Sequence, residues 1–238
     1  MASLSPDRKL GVVFDLDGTL VNSLPMVIAA FQYAVNVYRT PPEEEEVLAR
    51  IVGPAEVNLR NLLEADHYIP AAMNRLLEYN AQHKHEIEPF PGAKELLADL
   101  LRQGTPVALW TGRDRETTSE ILTRLGWWPY FQEVVCGDDF PTHKPDPEGL
   151  EKILEKFSLN SSEILFLGDA DVDVLAAHAL GVEILFIEHA RKVSERIRAL
   201  SRESVDKPGS AYEIVRARVL TQSHRLPTHV GWFAPDSS

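Results

Sequence analysis

Cysteine is nearly absent: the 238 residues hold one, Cys136. A single thiol excludes an intrachain disulfide framework. Its place in EVVCGDD, a run that reads as buried strand, points to an inert core thiol and fits a reducing, cytoplasmic setting. Positive charge is also scarce, with 24 Lys and Arg against 36 Asp and Glu and a formal net charge of −12. Such a chain is a poor partner for a nucleic-acid polymer, whose phosphates are gripped by clustered cations. A small phosphorylated ligand is still compatible, provided a few cations or a metal act locally. No apolar run reaches the roughly 18 residues of a membrane span, so no membrane partner is expected. The opening MASLSPDRKL lacks the apolar stretch of a secretory signal. There is no internal repeat and no low-complexity tract.

What is present is ordinary globular composition, 44% hydrophobic and 25% charged, at a length that suits one large domain or two modest ones. Five short apolar runs stand out: Leu10–Phe14, Pro106–Trp110, Glu133–Cys136, Glu163–Leu167 and Val182–Ile187. They lack clean alternation, as parallel strands covered on both faces do. Helical patterns over Arg115–Leu125, Pro147–Phe157 and Val172–Leu180 lie between the later runs and predict βαβ units. From about Val21 to Glu88 no strand is expected. Leu24, Val27, Ile28, Phe31, Val35 and Tyr38 recur at helical spacing, and three further helical segments follow. An all-helical insertion of residues 21–87 is therefore predicted after the first strand, with Pro89 and Pro91 as its return hinge. Residues 1–20 and 88–221 would form the α/β core, with helices at Arg191–Leu200 and Ala211–Leu220. The tail, 222–238, has no periodicity; Trp232 and Phe233 could pack back on the body.

Unusual polar residues close four of the strand candidates. The first ends in Asp15-Leu-Asp17-Gly-Thr, the second in Thr111-Gly112-Arg113, the third in GDDFPTHKPDP with Lys144, and the fourth in Gly168-Asp169 with Asp173. In open parallel sheets, ligands bind beyond the carboxyl ends of the strands, so all four groups are predicted to meet there. Four carboxylates at one edge repel unless a cation neutralises them, and an all-oxygen donor set fits Mg²⁺. Each residue alone has a plainer reading as a turn, a cap or a strand end. Four such coincidences in succession favour one shared receptor for a phosphoryl group.

In these motifs the chain resembles hydrolases of the haloacid dehalogenase superfamily, in the branch of phosphoglycolate phosphatase-like and β-phosphoglucomutase-like enzymes. The match runs over about residues 10 to 190: DxDGT at Asp15–Thr19, the strand-end Thr111, the Lys of K-P-x-P at Lys144, and GDxxxD at Gly168–Asp173. The resemblance implies a Rossmann-like core with a parallel sheet flanked by helices, and an α-helical cap inserted after the first strand. It implies Asp15 as nucleophile and Asp17 as acid–base. Thr111, Gly112 and Lys144 would hold phosphoryl oxygens. Mg²⁺ would be held by Asp15, the backbone carbonyl of Asp17 and Asp169, with Asp173 ligating through water or orienting Lys144.

The implied activity is a phosphoric monoester hydrolase acting on a small phosphorylated metabolite, phosphoglycolate or a sugar phosphate. The alternative is a β-phosphoglucomutase-like phosphomutase. Asp17 sets the chain apart from dehalogenases and phosphonatases of the superfamily, which lack that acid. Two positions depart from the family pattern: Asn22 stands where Asp is usual, and Arg113 where an amide or small residue is usual. Arg113 either touches substrate or phosphate or projects into solvent. Arg50, in ARIVGP, is a candidate for the far end of the leaving group, against a solvated helix arginine. His83 and His85 read as surface residues. A monomer or homodimer is expected.

Overall fold

The computed structural model describes residues 10–51, 53–189 and 191–220. The five apolar runs fold as strands: β1 (Gly11–Phe14), β4 (Val107–Trp110), β5 (Glu133–Val135), β6 (Ile164–Gly168) and β7 (Glu183–Ile187). A sixth, β8 (Glu203–Val205), completes a parallel sheet of order β5-β4-β1-β6-β7-β8. β1 lies between β4 and β6, in register Val12 with Val107 on one side and with Leu165 on the other. Successive side chains point to opposite faces. Accordingly Val12, Phe14, Leu165 and Leu167 join one apolar cluster, and Val13, Ile164 and Phe166 the other. The first face is covered by α5 (Ala93–Arg102), α6 (Arg115–Leu125) and α10 (Pro208–Val215). The second is covered by α7 (Glu148–Phe157), α8 (Asp171–Leu180) and α9 (Glu195–Ser201). Covering on both faces explains why the strands read as continuous apolar runs.

From β1 the chain steps outward to β4 and β5, then returns to β6 on the opposite side of β1. That reversal is a topological switch point, and a crevice opens beyond the carboxyl ends of β1 and β6.

Between β1 and β4 come four helices: α1 (Leu24–Val35), α2 (Glu44–Arg50), α3 (Ala55–Leu62) and α4 (Ile69–His83). α1 packs along α4, and the apolar faces of all four join the cluster on the first face of the sheet through Leu16, Leu20 and Val21. The expectation of no strand here needs correction. β2 (Val21–Asn22) pairs antiparallel with β3 (Glu88–Pro89), and Phe90 N–H donates to the Leu20 carbonyl. This ribbon joins the outgoing and returning chains. It went unseen because two residues carry no periodicity, and Pro89 is tolerated at an edge. β8 escaped for a similar reason: ESV is short, and none of its side chains is fully buried. The 222–238 tail, with Trp232 and Phe233, lies outside the described residues.

The turn after β1 is braced from far along the chain. The fully buried Tyr212 donates its hydroxyl to the Thr19 carbonyl. Tyr212→Phe is expected to lower unfolding free energy by about 1 kcal/mol, the worth of a buried hydrogen bond, measured by urea denaturation. An unchanged midpoint would contradict this bracing role.

Candidate active site

Each polar residue of interest follows a strand that points it into the crevice. Asp15 continues β1, its N–H donating to the Leu167 carbonyl of β6 at 2.8 Å. The chain then turns tightly: Leu20 and Val21 N–H groups both donate to the Leu16 carbonyl, and Gly18 takes φ +77°. Glycine is required there twice over. The conformation is strained for other residues, and a Cβ would collide with the Asp169 carboxylate.

Lys144 lies at the centre. Its Nζ donates to Asp15 Oδ1 at 2.9 Å, Asp173 Oδ1 at 2.7 Å and the Trp110 carbonyl at 2.7 Å, and lies over the Trp110 ring. All three ammonium hydrogens are thereby placed. Burial alone would lower the Lys144 pKa, but the charges of Asp15 and Asp173 raise it, so the ammonium stays charged. Asp173 uses its other oxygen to accept from the Ala170 N–H at 3.0 Å, at the start of α8. The same side chain thus caps a helix and anchors the lysine.

Asp15, Asp169 and Asp173 each offer a carboxylate oxygen, and these lie within 4.8 Å of one another. Burial, reinforced by Asp173 and Asp17 and opposed by Lys144, pushes the Asp15 carboxyl up to about 7. Burial likewise raises Asp169, against the opposing charge of Arg191. Asp169 Oδ2 is buried without a hydrogen-bond partner. An unsatisfied buried oxygen beside two more carboxylates fits a hard divalent cation, which prefers oxygen donors.

The Asp17 side chain lies outside that trio. Arg113 grips it as a fork, Nε to Oδ2 at 2.7 Å and Nη2 to Oδ1 at 2.8 Å, while the Ser23 hydroxyl also donates to Oδ1. Arg113 therefore neither projects into solvent nor points at open space. Its position is set by Thr111, whose hydroxyl accepts from the Arg113 N–H at 3.2 Å. Thr111 itself is 1% exposed and is not among the residues that line the crevice, whereas Gly112 and Arg113 are.

The structure thus brings Asp15, Asp17, Gly112, Arg113, Lys144, Asp169 and Asp173 around one cavity of about 120 Å³. It does not bring Arg50 there. That guanidinium is turned outward on α2, paired with Glu46 at 3.3 Å and donating to the Asn61 carbonyl at 2.6 Å, as in the solvated-helix reading. His83 and His85 are away from the cavity too; His83 pairs with Glu86. Cys136 is buried, and burial pushes its thiol up to about 11, so it stays protonated.

Two participants were missed. Arg191 Nε stands 3.7 Å from Asp169 Oδ2, and its Nη1 donates to the Leu48 carbonyl of α2. His189 Nε2 donates to the Gly18 carbonyl at 2.7 Å. Both follow β7. Applying the strand-end rule to the fifth apolar run, as to the other four, would have found them.

A family model for haloacid dehalogenase-like hydrolases matches residues 12–187. The chain is 33% identical over 235 residues to a phosphoglycolate phosphatase of Pseudomonas fluorescens, covering 92% of this chain and 85% of that one. It is 32% identical over 221 residues to a phosphoglycolate phosphatase of Vibrio parahaemolyticus, covering 88% and 96%. The crystal structure of a predicted phosphoglycolate phosphatase from Haemophilus somnus superposes with a TM-score of 0.77 at 26% identity, covering 90% of this chain and all of that one.

The raised Asp15 yields a prediction with a definite sign. The folded chain holds this proton more tightly than the unfolded one. Asp15 therefore favours folding fully below its unfolded value of about 4, and that contribution is lost as pH climbs to about 7. A divalent cation displaces the proton and so acts most where the proton is gone. Mg²⁺ added to EDTA-stripped protein should raise Tm more at pH 8 than at pH 5, read by calorimetry. Equal shifts, or none, would contradict the trio as a cation site.

Proposed function

From the premise that the chain belongs to the haloacid dehalogenase-like hydrolase family, and is a phosphoric monoester hydrolase within it, we propose that it is an Mg²⁺-dependent phosphatase working through an aspartyl-phosphate. The substrate is a small phosphorylated metabolite, with phosphoglycolate and sugar phosphates as the candidates. The observation that carries this reading is the Asp15 carboxylate held by the buried Lys144 ammonium at the mouth of β1.

In this reading Asp15 attacks phosphorus, the ester P–O bond breaks, and Asp17 delivers a proton to the departing oxygen. Asp17 then accepts a proton from water as that water attacks phosphorus, breaking the acyl-phosphate P–O bond and releasing phosphate. Acid–base help of this kind is typically worth ~10²–10⁴-fold. Lys144, the Thr111 hydroxyl and the Gly112 N–H stabilise the phosphoryl oxygens where charge builds. Asp15, Asp169 and the Asp17 carbonyl would hold Mg²⁺, with Asp173 behind them; the ion would keep Asp15 ionised and offset phosphoryl charge.

Arg113 is a positioning residue: in the resting chain it holds the Asp17 carboxylate against Ser23, and the fork opens and Asp17 takes up a proton before Asp17 serves as acid. The helices inserted between β1 and β4 act as the cap that excludes water over the site. A cytoplasmic location is supported by the buried free thiol.

The test uses p-nitrophenyl phosphate and glucose 1-phosphate. Phosphate release from the first, lost by at least about 10³-fold in Asp15→Asn, is expected. Full activity of that variant would overturn the nucleophile assignment. Conversion of glucose 1-phosphate to glucose 6-phosphate would replace hydrolase with phosphomutase. Arg113→Lys keeps the charge but loses the fork, and should lower kcat by roughly tenfold with KM little changed. A rise in KM alone would place Arg113 on the substrate instead.

A further inference from the structure

Above the carboxylates, the cavity wall supplied by the inserted helices is apolar. Leu24, Val27 and Phe31 of α1, Ile51 after α2, and Leu76 of α4 line it. The polar side chains this wall adds are amides: Asn80, half-buried in the last turn of α4, and Asn58, whose side chain is bound to Gly53. Among the described residues, the cations lining the cavity are Lys144, Arg113 and Arg191, facing five acids. Lys144 is committed to Asp15 and Asp173 and Arg113 to Asp17, whereas Arg191 pairs with Asp169 only at 3.7 Å, its Nη1 donating to the Leu48 carbonyl and its buried Nε making no hydrogen bond. With a divalent ion bound the lining is neutral before the phosphate dianion enters.

A second anionic group on the substrate would have to be desolvated against this wall. It could be matched only by drawing a cation off an acid, which leaves that acid unpaired. Arg50, the remaining candidate, is turned away. An uncharged leaving group with an apolar face meets no such cost and buries its surface against Leu24, Val27 and Leu76.

We propose that this enzyme selects phosphate esters of uncharged alcohols with an apolar face, and discriminates against esters carrying a carboxylate. The inference rests on the phosphatase reading above and narrows it, setting this chain apart from the substrate that its relatives are named for. The wall next to phosphorus, rather than the phosphoryl site, sets the preference, and Asn80 supplies one hydrogen bond to a hydroxyl or ether oxygen.

The test compares kcat/KM of the full chain with Mg²⁺ for phosphoglycolate and for isobutyl phosphate, its uncharged near-isostere, with p-nitrophenyl phosphate alongside. Isobutyl phosphate should be favoured by at least about tenfold. Equal or better turnover of phosphoglycolate overturns the inference while leaving the phosphatase reading intact. No turnover of any ester overturns both. Asn80→Lys places a cation at a helix C-terminus, where it is tolerated, and should move the ratio toward phosphoglycolate by about tenfold. A folded variant with an unchanged ratio would show that the leaving group does not lie against α4.

Discussion

One buried ammonium organises this molecule. Lys144 is 7% exposed, and holding its charge out of water demands partners in good geometry. It has them in Asp15, Asp173 and the Trp110 carbonyl, which come from the ends of β1 and β4 and the first turn of α8. Removing the lysine would leave two carboxylates uncompensated in the interior. The lysine therefore ties two strands and a helix into one site, and its position depends on the parallel order that brings the carboxyl ends of the strands together.

The remaining charges follow from that arrangement. Two acids go to the lysine, so Asp169 is left with a buried oxygen that accepts no hydrogen bond and has Arg191 Nε at 3.7 Å, and Asp17 is taken by Arg113. A site with more carboxylates than cations is poised for a divalent ion rather than for further anions. The apolar helical wall continues this logic outward. It adds surface without adding charge, so chemistry is concentrated on the sheet side and selectivity on the helix side.

Much of this was legible in the sequence because it is local. Apolar runs without alternation gave the parallel sheet, and acids at strand ends gave Asp15, Asp17, Asp169 and Asp173 with Lys144. The fork between Arg113 and Asp17 was not legible, since these residues are 96 apart and a guanidinium beside a strand end reads equally well as solvent-facing. The outward turn of Arg50 depends on Glu46 and the Asn61 carbonyl, a matter of rotamer and helix packing rather than of pattern. Tyr212 bracing Thr19 is a contact across 193 residues that no periodicity encodes. The β2–β3 ribbon and β8 are too short to register against a period of two.

The central claim is that the Lys144-held carboxylate of Asp15 itself takes the phosphoryl group. Rapid-quench mixing of enzyme, Mg²⁺ and p-nitrophenyl phosphate, followed by peptide mass analysis of the acid-quenched chain, tests it directly. The account predicts one phosphoryl group on Asp15, rising before free phosphate and absent from Asp15→Asn. Turnover with no protein-bound phosphoryl at any quench time, or with the group on another residue, would contradict it.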